Sequence, residues 1–297
     1  MNMDKALFTV LGWEDRFILG AMNILGKYDL TKVYLICFTD YLYMNNMTSN
    51  LELIEKELKL RSIQYQILEL NYGDSVQNWK YLDNFFSTVQ LSKVLLNITT
   101  FPRETVWTFL FFLKNQSAKV DFIYYKPMSY DKNESGLTKN HKNPRLLFKH
   151  SGIFDISKKL VIFIITGFDN SRTDLLIEHF EPAKVIYLSQ IGDQFENQKR
   201  NCGISPKTAF ENILMENIAI DSYNILDTFE ILSHLVEENF DYNVIITSQG
   251  PKTSAISTYM TYLKYSNIAL AYVPAREFSG QYSYGIDNEP VVGQINF

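Results

Sequence analysis

The feature of this sequence that most restricts its fold is a series of short motifs that recurs in the same order in both halves. Gly12–Arg16 (Gly-Trp-Glu-Asp-Arg) corresponds to Gly167–Arg172 (Gly-Phe-Asp-Asn-Ser-Arg), which has an inserted serine. Ile98–Arg103 corresponds to Ile246–Lys252, again offset by one residue, and both segments precede apolar helical patterns that end in Leu-Lys. A repeated series of this kind predicts an internal duplication in which both halves adopt the same fold.

Within each half, strand patterns alternate with helical patterns. Lys32–Phe38 is rich in β-branched and aromatic residues, and Leu51, Ile54 and Leu58 recur at helical spacing among charged neighbours. Because strands that alternate with helices usually pair in parallel, each half is predicted to form a mainly parallel sheet flanked by helices. We therefore predict an α/β chain of two tandem Rossmann-like units that are related by a pseudo-two-fold axis.

The predicted units comprise residues 1–152 and 153–297, and a length of about 150 residues suits one domain each. Each unit is expected to end in an additional strand or hairpin, because a short apolar segment follows the Tyr-x-Pro sequence in each half. In the second unit, the pattern also predicts a helix over residues 210–218 and a strand over residues 219–223.

Composition and charge exclude several classes of protein. A net charge of −5 over 297 residues is inconsistent with an extended basic face for nucleic acid, although it leaves room for a small basic pocket. Cys37 and Cys202 have no CxxC partner and form no zinc pattern with the histidines, so no metal site is predicted. The N-terminus lacks the pattern of a signal peptide, and no apolar run reaches the roughly 18 residues of a spanning helix. We expect a cytoplasmic protein that does not contact a membrane.

The repeated motifs fall at predicted carboxyl ends of strands, which is where open parallel sheets bind ligands. The candidate ligand-binding residues in the turns after the first strands are Gly12, Glu14, Asp15 and Arg16 in the first unit and Gly167, Asp169 and Arg172 in the second. Capping of the following helix is the alternative interpretation for the acids. Because a cation is disfavoured in the first turn of a helix, the two arginines indicate either a bound anion or salt bridges.

The loops after the fourth strands carry the stronger signal, because each combines hydroxyls, a proline and a basic residue directly before a helix. Backbone N–H groups at such a helix start can bind phosphate, and simple helix capping is the alternative. The candidate ligand-binding residues are Asn97, Thr99, Thr100, Arg103 and Glu104 in the first unit and Thr247, Ser248, Gln249, Gly250, Lys252 and Thr253 in the second. Neither loop is a Walker or GxGxxG motif, so no cofactor is predicted.

Two further features are candidates for ligand contact. The segment Arg276–Gly285 has the loop composition of a lid or a ligand-facing flap. Tyr125, Tyr272, Tyr282 and Tyr284 could stack on a base, and packing in the protein is the alternative interpretation.

The first of the fourth-strand loops resembles the corresponding motif of CARF domains. That motif typically reads Asn-(Ile/Leu)-Thr-Gly-Gly-Thr-Lys, and Asn97-Ile98-Thr99 matches its beginning. Thr100-Phe101-Pro102 replaces the small residues, and Arg103 stands in place of the lysine. The second copy keeps a threonine, a glycine and a lysine but lacks the initial asparagine. The resemblance covers about ten residues of each unit, together with the general order of strands.

The resemblance implies a Rossmann-like sensor of cyclic oligonucleotides in CRISPR-linked defence. CARF domains usually pair to form one pocket on a two-fold axis, so a duplicated chain could build such a pocket within one molecule. They also usually work with an effector, which implies an effector protein as a further partner.

We therefore predict a nucleotide-binding or cyclic-oligonucleotide-binding sensor or partner subunit of bacterial anti-phage defence. In this hypothesis, Arg103 and Lys252 contact phosphate while Arg16 and Arg172 close the site. The expected partners are a nucleotide or other phosphorylated small molecule and an effector protein. Two alternatives stay open, namely an enzyme that hydrolyses or transfers on a nucleotide or phosphorylated substrate, and a scaffold that binds a protein.

Overall fold

The computed structural model of the protein describes residues 5–130, 139–191, 212–265, 267–278, 280 and 282–297. The chain forms two compact units. The first comprises Met1–Gly136 together with Ser279–Phe297, and the second comprises Leu137–Phe278. This division differs from the predicted boundary between residues 152 and 153, for a reason that lies in the pairing of the last strands.

Strands alternate with helices through both halves of the chain. The elements of the first half are β1 (Lys5–Val10), α1 (Asp15–Lys27), β2 (Lys32–Phe38), a 3-10 turn (Thr39–Tyr41), α2 (Met47–Leu60), β3 (Gln64–Leu70), α3 (Ser75–Thr88), β4 (Lys93–Asn97), α4 (Arg103–Asn115), β5 (Lys119–Tyr124), β6 (Ser129–Tyr130), β7 (Lys139–His141) and β8 (Arg145–Leu146). Those of the second half are β9 (Lys159–Ile165), α5 (Asn170–Phe180), β10 (Lys184–Gln190), β11 (Leu214–Ile220), α6 (Ile225–Glu238), β12 (Tyr242–Ser248), α7 (Thr253–Lys264), β13 (Ala269–Tyr272), β14 (Ala275–Glu277), β15 (Ser283–Tyr284) and β16 (Val291–Ile295).

Each unit contains a six-stranded sheet, and the two sheets have the same strand order. The first sheet runs β16-β5-β4-β1-β2-β3, and the second runs β8-β13-β12-β9-β10-β11. Neighbouring strands are parallel except at one edge, where β16 is antiparallel to β5 and β8 is antiparallel to β13. The prediction of an α/β chain with two Rossmann-like units, each a mainly parallel sheet flanked by helices, is confirmed.

The two antiparallel edge strands come from the opposite halves of the sequence. β8 lies in the first half of the sequence but pairs with β13 in the second unit, where Leu147 N–H donates to the Leu270 carbonyl at 2.8 Å. β16 lies in the second half of the sequence but pairs with β5 in the first unit over five residues, from Val291 opposite Tyr124 to Ile295 opposite Val120. Because each of these short strands pairs with the edge of the sheet formed by the other half of the sequence, the compact units do not coincide with the two halves of the sequence.

The predicted helix over residues 210–218 is wrong over its described part. Leu214–Ile220 forms β11, which is parallel to β10 from Lys184 opposite Leu214 to Gln190 opposite Ile220. Glu216 and Asn217 give the segment a polar pattern that imitates an amphipathic helix, whereas an edge strand tolerates such residues because one side is exposed. Residues 210 and 211 lie outside the described residues.

The central strands of each unit are buried on both faces, which explains why their sequences are continuously apolar. In the first unit, Phe8 of β1 stacks on Tyr34 at a ring-centroid distance of 4.6 Å and meets Phe109 of α4 edge-on. In the second unit, Ile162 and Ile164 of β9 pack with apolar residues of α5, β10 and β12.

Among the described residues, none of the helices has the length and hydrophobicity that a membrane span requires.

Candidate functional site at the carboxyl edges of the sheets

In each unit, the turn after the first strand and the loop after the fourth strand lie side by side. β1 is adjacent to β4, with Thr9 opposite Asn97, and β9 is adjacent to β12, with Ile165 opposite Ser248. Parallel neighbours end at the same edge of a sheet, so the predicted site residues of each unit are brought together there.

The first-strand turn of the first unit is built around a buried ion pair. Glu14 is the N-cap of α1, but its side chain does not cap the helix and instead accepts hydrogen bonds from Arg16 Nε at 2.9 Å and Nη2 at 2.7 Å. The Arg16 side chain is only 4% exposed. Burial by itself lowers the pKa of this guanidinium, but the charge and hydrogen bonds of Glu14, together with Tyr124 and Tyr130, outweigh burial and raise the pKa overall. Arg16 is therefore charged, as the salt-bridge alternative predicts.

The acids of this turn also bind the C-terminal segment of the first unit. Glu14 Oε2 accepts a hydrogen bond from the Ser283 hydroxyl at 3.0 Å, and Asp15 Oδ2 accepts one from Gly285 N–H at 2.9 Å. Neither contact follows from the local sequence, because Ser283 lies 269 positions from Glu14.

The fourth-strand loop of the first unit uses its polar groups internally. Asn97 Nδ2 donates to Thr9 Oγ1 at 3.0 Å, and Asn97 Oδ1 accepts from the Thr99 hydroxyl at 2.6 Å. The Thr100 hydroxyl donates to the Val10 carbonyl at 2.5 Å. Phe101 is fully buried and packs edge-on against Phe109. These side chains stabilise the loop itself.

An aromatic side chain from the C-terminal segment completes this edge of the first unit. Tyr282 contacts Tyr130 edge-on at a ring-centroid distance of 5.4 Å. Its hydroxyl also interacts electrostatically with Arg103, Glu14 and Arg16. Burial raises the pKa of the Tyr282 hydroxyl, so it stays protonated. The composition of Arg276–Gly285 indicated a flap; the structure divides that segment, since β14 pairs with β7 in the second unit while β15 pairs with β6 in the first.

The first-strand turn of the second unit has a capping acid at its centre. Asp169 is the N-cap of α5 and accepts hydrogen bonds from Ser171 N–H at 3.2 Å and from the Ser171 hydroxyl at 2.6 Å. It also pairs with Arg172 Nε at 3.2 Å and with His141 Nε2 at 2.9 Å. Asp169 is thus both a cap and an ion-pair partner, and neither alternative excludes the other.

His141 is a residue that sequence reasoning missed. It lies on β7, and its side chain is 5% exposed. Burial alone raises the pKa of the Asp169 carboxyl, but hydrogen bonds from His141 and Ser171 and the charge of Arg172 outweigh burial and hold that pKa well below its ordinary value. No local motif marks His141, because it reaches Asp169 only through the pairing of β7 with β14.

The fourth-strand loop of the second unit is made of small and hydroxyl-bearing residues. Lys252 is the N-cap of α7, directly before Thr253. A Cβ atom on Gly250 would lie 2.9 Å from the Thr166 carbonyl oxygen, and one on Gly167 would lie 2.2 Å from the Gln249 carbonyl oxygen. Both glycines are therefore required by the close approach of the two loops.

Hydroxyl groups surround this helix start. Ser248 and Ser254 share a hydrogen bond at 2.5 Å, and Thr173 Oγ1 donates to Gln249 Oε1 at 3.2 Å. The Thr253 side chain is fully buried, and its hydroxyl has no hydrogen-bond partner among the described residues. A buried hydroxyl without a hydrogen-bond partner is uncommon in folded proteins. Thr247, near the carboxyl end of β12, is also buried.

Comparison with known proteins supports the fold. Neither a protein-family model nor a curated protein matches the sequence. The chain is similar to a solved structure of a type III CRISPR defence DNA nuclease activated by cyclic oligoadenylate, with a TM-score of 0.57 and 8% identity over 86% of this chain. The match covers 64% of the nuclease chain, so this protein spans less than two thirds of its length.

At that identity, the similarity concerns the fold alone. A precorrin-6A reductase, CobK, aligns over 87% of this chain and 85% of its own, with 13% identity. Its TM-score of 0.24 is too low to carry an argument.

Proposed function

We propose that the protein is a sensor or partner subunit that binds a nucleotide, specifically a cyclic oligonucleotide, in bacterial anti-phage defence. The ligand binds at the carboxyl edge of a sheet, and an effector protein reads the bound state. The two units are the products of a duplication, and their common strand order supports that origin.

The observation that carries this proposal is the basic residue at the start of a helix on each carboxyl edge. Arg103 is the first residue of α4, and Lys252 is the N-cap of α7. A helix N-terminus presents N–H groups without intrahelical partners and the positive end of the helix dipole. A cation beside these groups favours a phosphate at that position.

The second unit is the stronger candidate for the primary phosphate contact. The first turn of α4 contains the carboxylate of Glu104, which repels an anion, whereas the first turn of α7 has no acidic residue. Gly250 allows the two loops to approach each other at this helix start, and the buried Thr253 hydroxyl has no hydrogen-bond partner among the described residues. We therefore assign the primary phosphate contact to Lys252 and Thr253, with Arg103 contributing less.

The similarity in fold to a nuclease activated by cyclic oligoadenylate supports cyclic oligoadenylates as the first ligands to test. The test is isothermal titration calorimetry of the full chain with cyclic tri-, tetra- and hexa-adenylate, ATP and inorganic phosphate. The double variant Arg103→Glu/Lys252→Glu is compared with Lys114→Glu/Lys264→Glu, which makes the same change of charge at the opposite ends of the same helices.

The wild type and the matched control should bind at least one cyclic oligoadenylate, and the double variant should bind it at least about tenfold more weakly, since a charge-assisted hydrogen bond contributes about 1.5–3 kcal/mol. Equal affinity of both variants would refute the assigned site. Failure of the wild type to bind any member of the panel would refute the sensor function and favour a protein scaffold. A linear product on chromatography after incubation would replace the sensor with an enzyme.

A further inference from the structure

In each unit, the acid of the first-strand turn holds a short segment that belongs to the opposite sequence repeat. We call Tyr282–Gly285 the first-unit arm and Asn140–Lys142 the second-unit arm. The first-unit arm contains β15, which pairs with β6, and the second-unit arm overlaps β7, which pairs with β14. Both arms lie next to the turn that carries the candidate anion-binding arginine.

A single carboxylate oxygen joins the arginine and the arm of the first unit. Glu14 Oε2 accepts hydrogen bonds from Arg16 Nε at 2.9 Å, from Arg16 Nη2 at 2.7 Å and from the Ser283 hydroxyl at 3.0 Å. The arm is also held by Gly285 N–H, which donates to Asp15 at 2.9 Å. Any movement of the Glu14 carboxylate therefore affects the arginine and the arm together.

The second unit repeats this arrangement with different side chains. Asp169 Oδ2 contacts Arg172 Nε at 3.2 Å and His141 Nε2 at 2.9 Å. The second-unit arm is also held by Lys142 N–H, which donates to the Pro274 carbonyl at 2.8 Å. The same position of the turn thus links an arginine to an arm in both units, although serine serves in one arm and histidine in the other.

We propose that this shared carboxylate makes anion binding at the arginine and closure of the arm mutually exclusive. The proposal rests on the proposed function, since it assigns a regulatory role to the edges at which the phosphorylated ligand binds. Arg16 is 4% exposed and two of its nitrogens donate to Glu14, so an added anion must compete with Glu14 for the guanidinium. When Glu14 moves away, Ser283 loses its acceptor and the arm is released.

The coupling acts in both directions, because a linkage between two equilibria is reciprocal. An anion that binds Arg16 or Arg172 loosens the adjacent arm, and a variant with a loosened arm binds the anion more tightly. The released arm gives an effector a structural difference between the ligand-free and the ligand-bound protein.

The test combines hydrogen–deuterium exchange of the full chain with titration of inorganic phosphate and the adenylate panel. Ser283→Ala removes the arm's bond to Glu14, and Ser157→Ala is its matched control, because Ser157 donates in the same way to the exposed Asp155 at 2.7 Å. For the second unit, His141→Gln is compared with His234→Gln, which removes an exposed pair with Glu238.

The reporters are the amides of Gly285 and Lys142, since both are hydrogen-bonded in the closed arms. Phosphate should accelerate exchange at one or both amides in the wild type. Ser283→Ala should accelerate exchange at Gly285 and tighten anion binding about tenfold, the effect of losing one hydrogen bond to a charged group. His141→Gln should act likewise at Lys142, and the two control variants should change neither quantity.

The arm coupling is overturned if ligand binds with no change in exchange at either arm, or if the loosened variants bind the anion as the wild type does. If phosphate changes the arms but no nucleotide binds, the proposed function fails while the coupling stands. If nucleotides bind and the arms stay protected, the coupling fails while the proposed function stands.

Discussion

The fourth-strand loops of the two units occupy equivalent places in sheets of equal strand order, yet they are filled in different ways. The first loop contains the buried Phe101 and a network in which Asn97 bonds to both Thr9 and Thr99. The second loop has glycine and hydroxyl groups, and the hydroxyl of Thr253 has no partner among the described residues. Two sheets of the same strand order thus carry different side-chain chemistry at their carboxyl edges.

This difference suggests that the two loops have different roles, one in stability and the other in binding. A loop whose buried hydroxyl and amide side chains bond to each other holds its shape without a ligand. A loop that leaves a buried hydroxyl unpaired gains a hydrogen bond when a ligand binds. We therefore expect the first loop to contribute mainly to stability and the second loop mainly to binding.

The largest expected effect follows from the aromatic side chain of the first loop. Phe101→Ala removes a fully buried ring that packs against Phe109, and we expect it to destabilise the protein by about 3–5 kcal/mol. Chemical denaturation followed by circular dichroism measures this change. Anion binding by the second unit should persist under conditions in which the variant stays folded. A loss of less than about 1 kcal/mol would show that the first loop is not held by its ring.

The sequence predicts most of the fold and only part of these edges. Alternation of strands and helices is a local signal, so Lys32–Phe38 and the helix around Ile54 are read correctly. Which sheet receives β8 or β16 depends on pairing between residues far apart in the chain, such as Val292 with Ile123, and no local periodicity encodes it. The predicted helix over residues 210–218 is wrong in its described part, because polar residues of the edge strand β11 imitate helical spacing.

The same distinction applies to the candidate site. Residues on the turns and loops, such as Glu14 and Lys252, can be located because they follow recognisable strands. Their partners Ser283 and His141 come from the arms, which reach the turns only through tertiary pairing. The sequence therefore locates the residues of the turns and loops, whereas their partners on the arms are visible only in the structure.

The two glycines that open the first-strand turns should differ in their tolerance of a methyl group. A Cβ on Gly167 would meet the backbone oxygen of Gln249 at 2.2 Å, whereas a Cβ on Gly12 would meet the side chain of Thr100 at 2.9 Å. Since a backbone cannot yield as a side chain can, Gly167→Ala should cost about 3 kcal/mol and Gly12→Ala about 1 kcal/mol. Thermal unfolding measures both variants, and equal losses would contradict the tighter contact in the second unit.

Gly26→Ala is the control for this pair. Gly26 lies inside α1, and a Cβ there meets no atom within 4 Å. Alanine is the better helix former, so this variant should be stabilised by about 0.5–1 kcal/mol.

Acid should act on the second unit through Asp169. The pKa of this carboxyl is held below its ordinary value, so the ion pair contributes stability that is fully present above about pH 4 and is lost as the pH falls toward the folded-state pKa. Asp169→Asn should reduce stability at pH 7 by at least about 1 kcal/mol and should remove part of the loss below pH 4. Denaturation at a series of pH values measures both effects.

Asp155→Asn is the matched control, because Asp155 also accepts hydrogen bonds from the serine two positions later but is exposed. Its effect on the pH dependence should be smaller, since solvent screens an exposed group. If both variants shift the acid transition equally, the buried contact with His141 and Arg172 adds nothing to the stability of the second unit.

The smallest expected effect separates the two loops most directly. Thr253→Val replaces a hydroxyl that has no partner among the described residues, so stability should change by no more than about 0.5 kcal/mol. Thr99→Val, in contrast, removes a hydroxyl that donates to Asn97 Oδ1 and accepts from Tyr125 N–H, and it should cost about 1–3 kcal/mol of stability.

Denaturation measures the stability of both variants, and phosphate titration measures their affinity for an anion. Thr253→Val should weaken anion binding while the fold stays intact, and Thr99→Val should do the reverse. A large loss of stability in Thr253→Val would mean that its hydroxyl already supports the fold, and the second loop would then be as structural as the first.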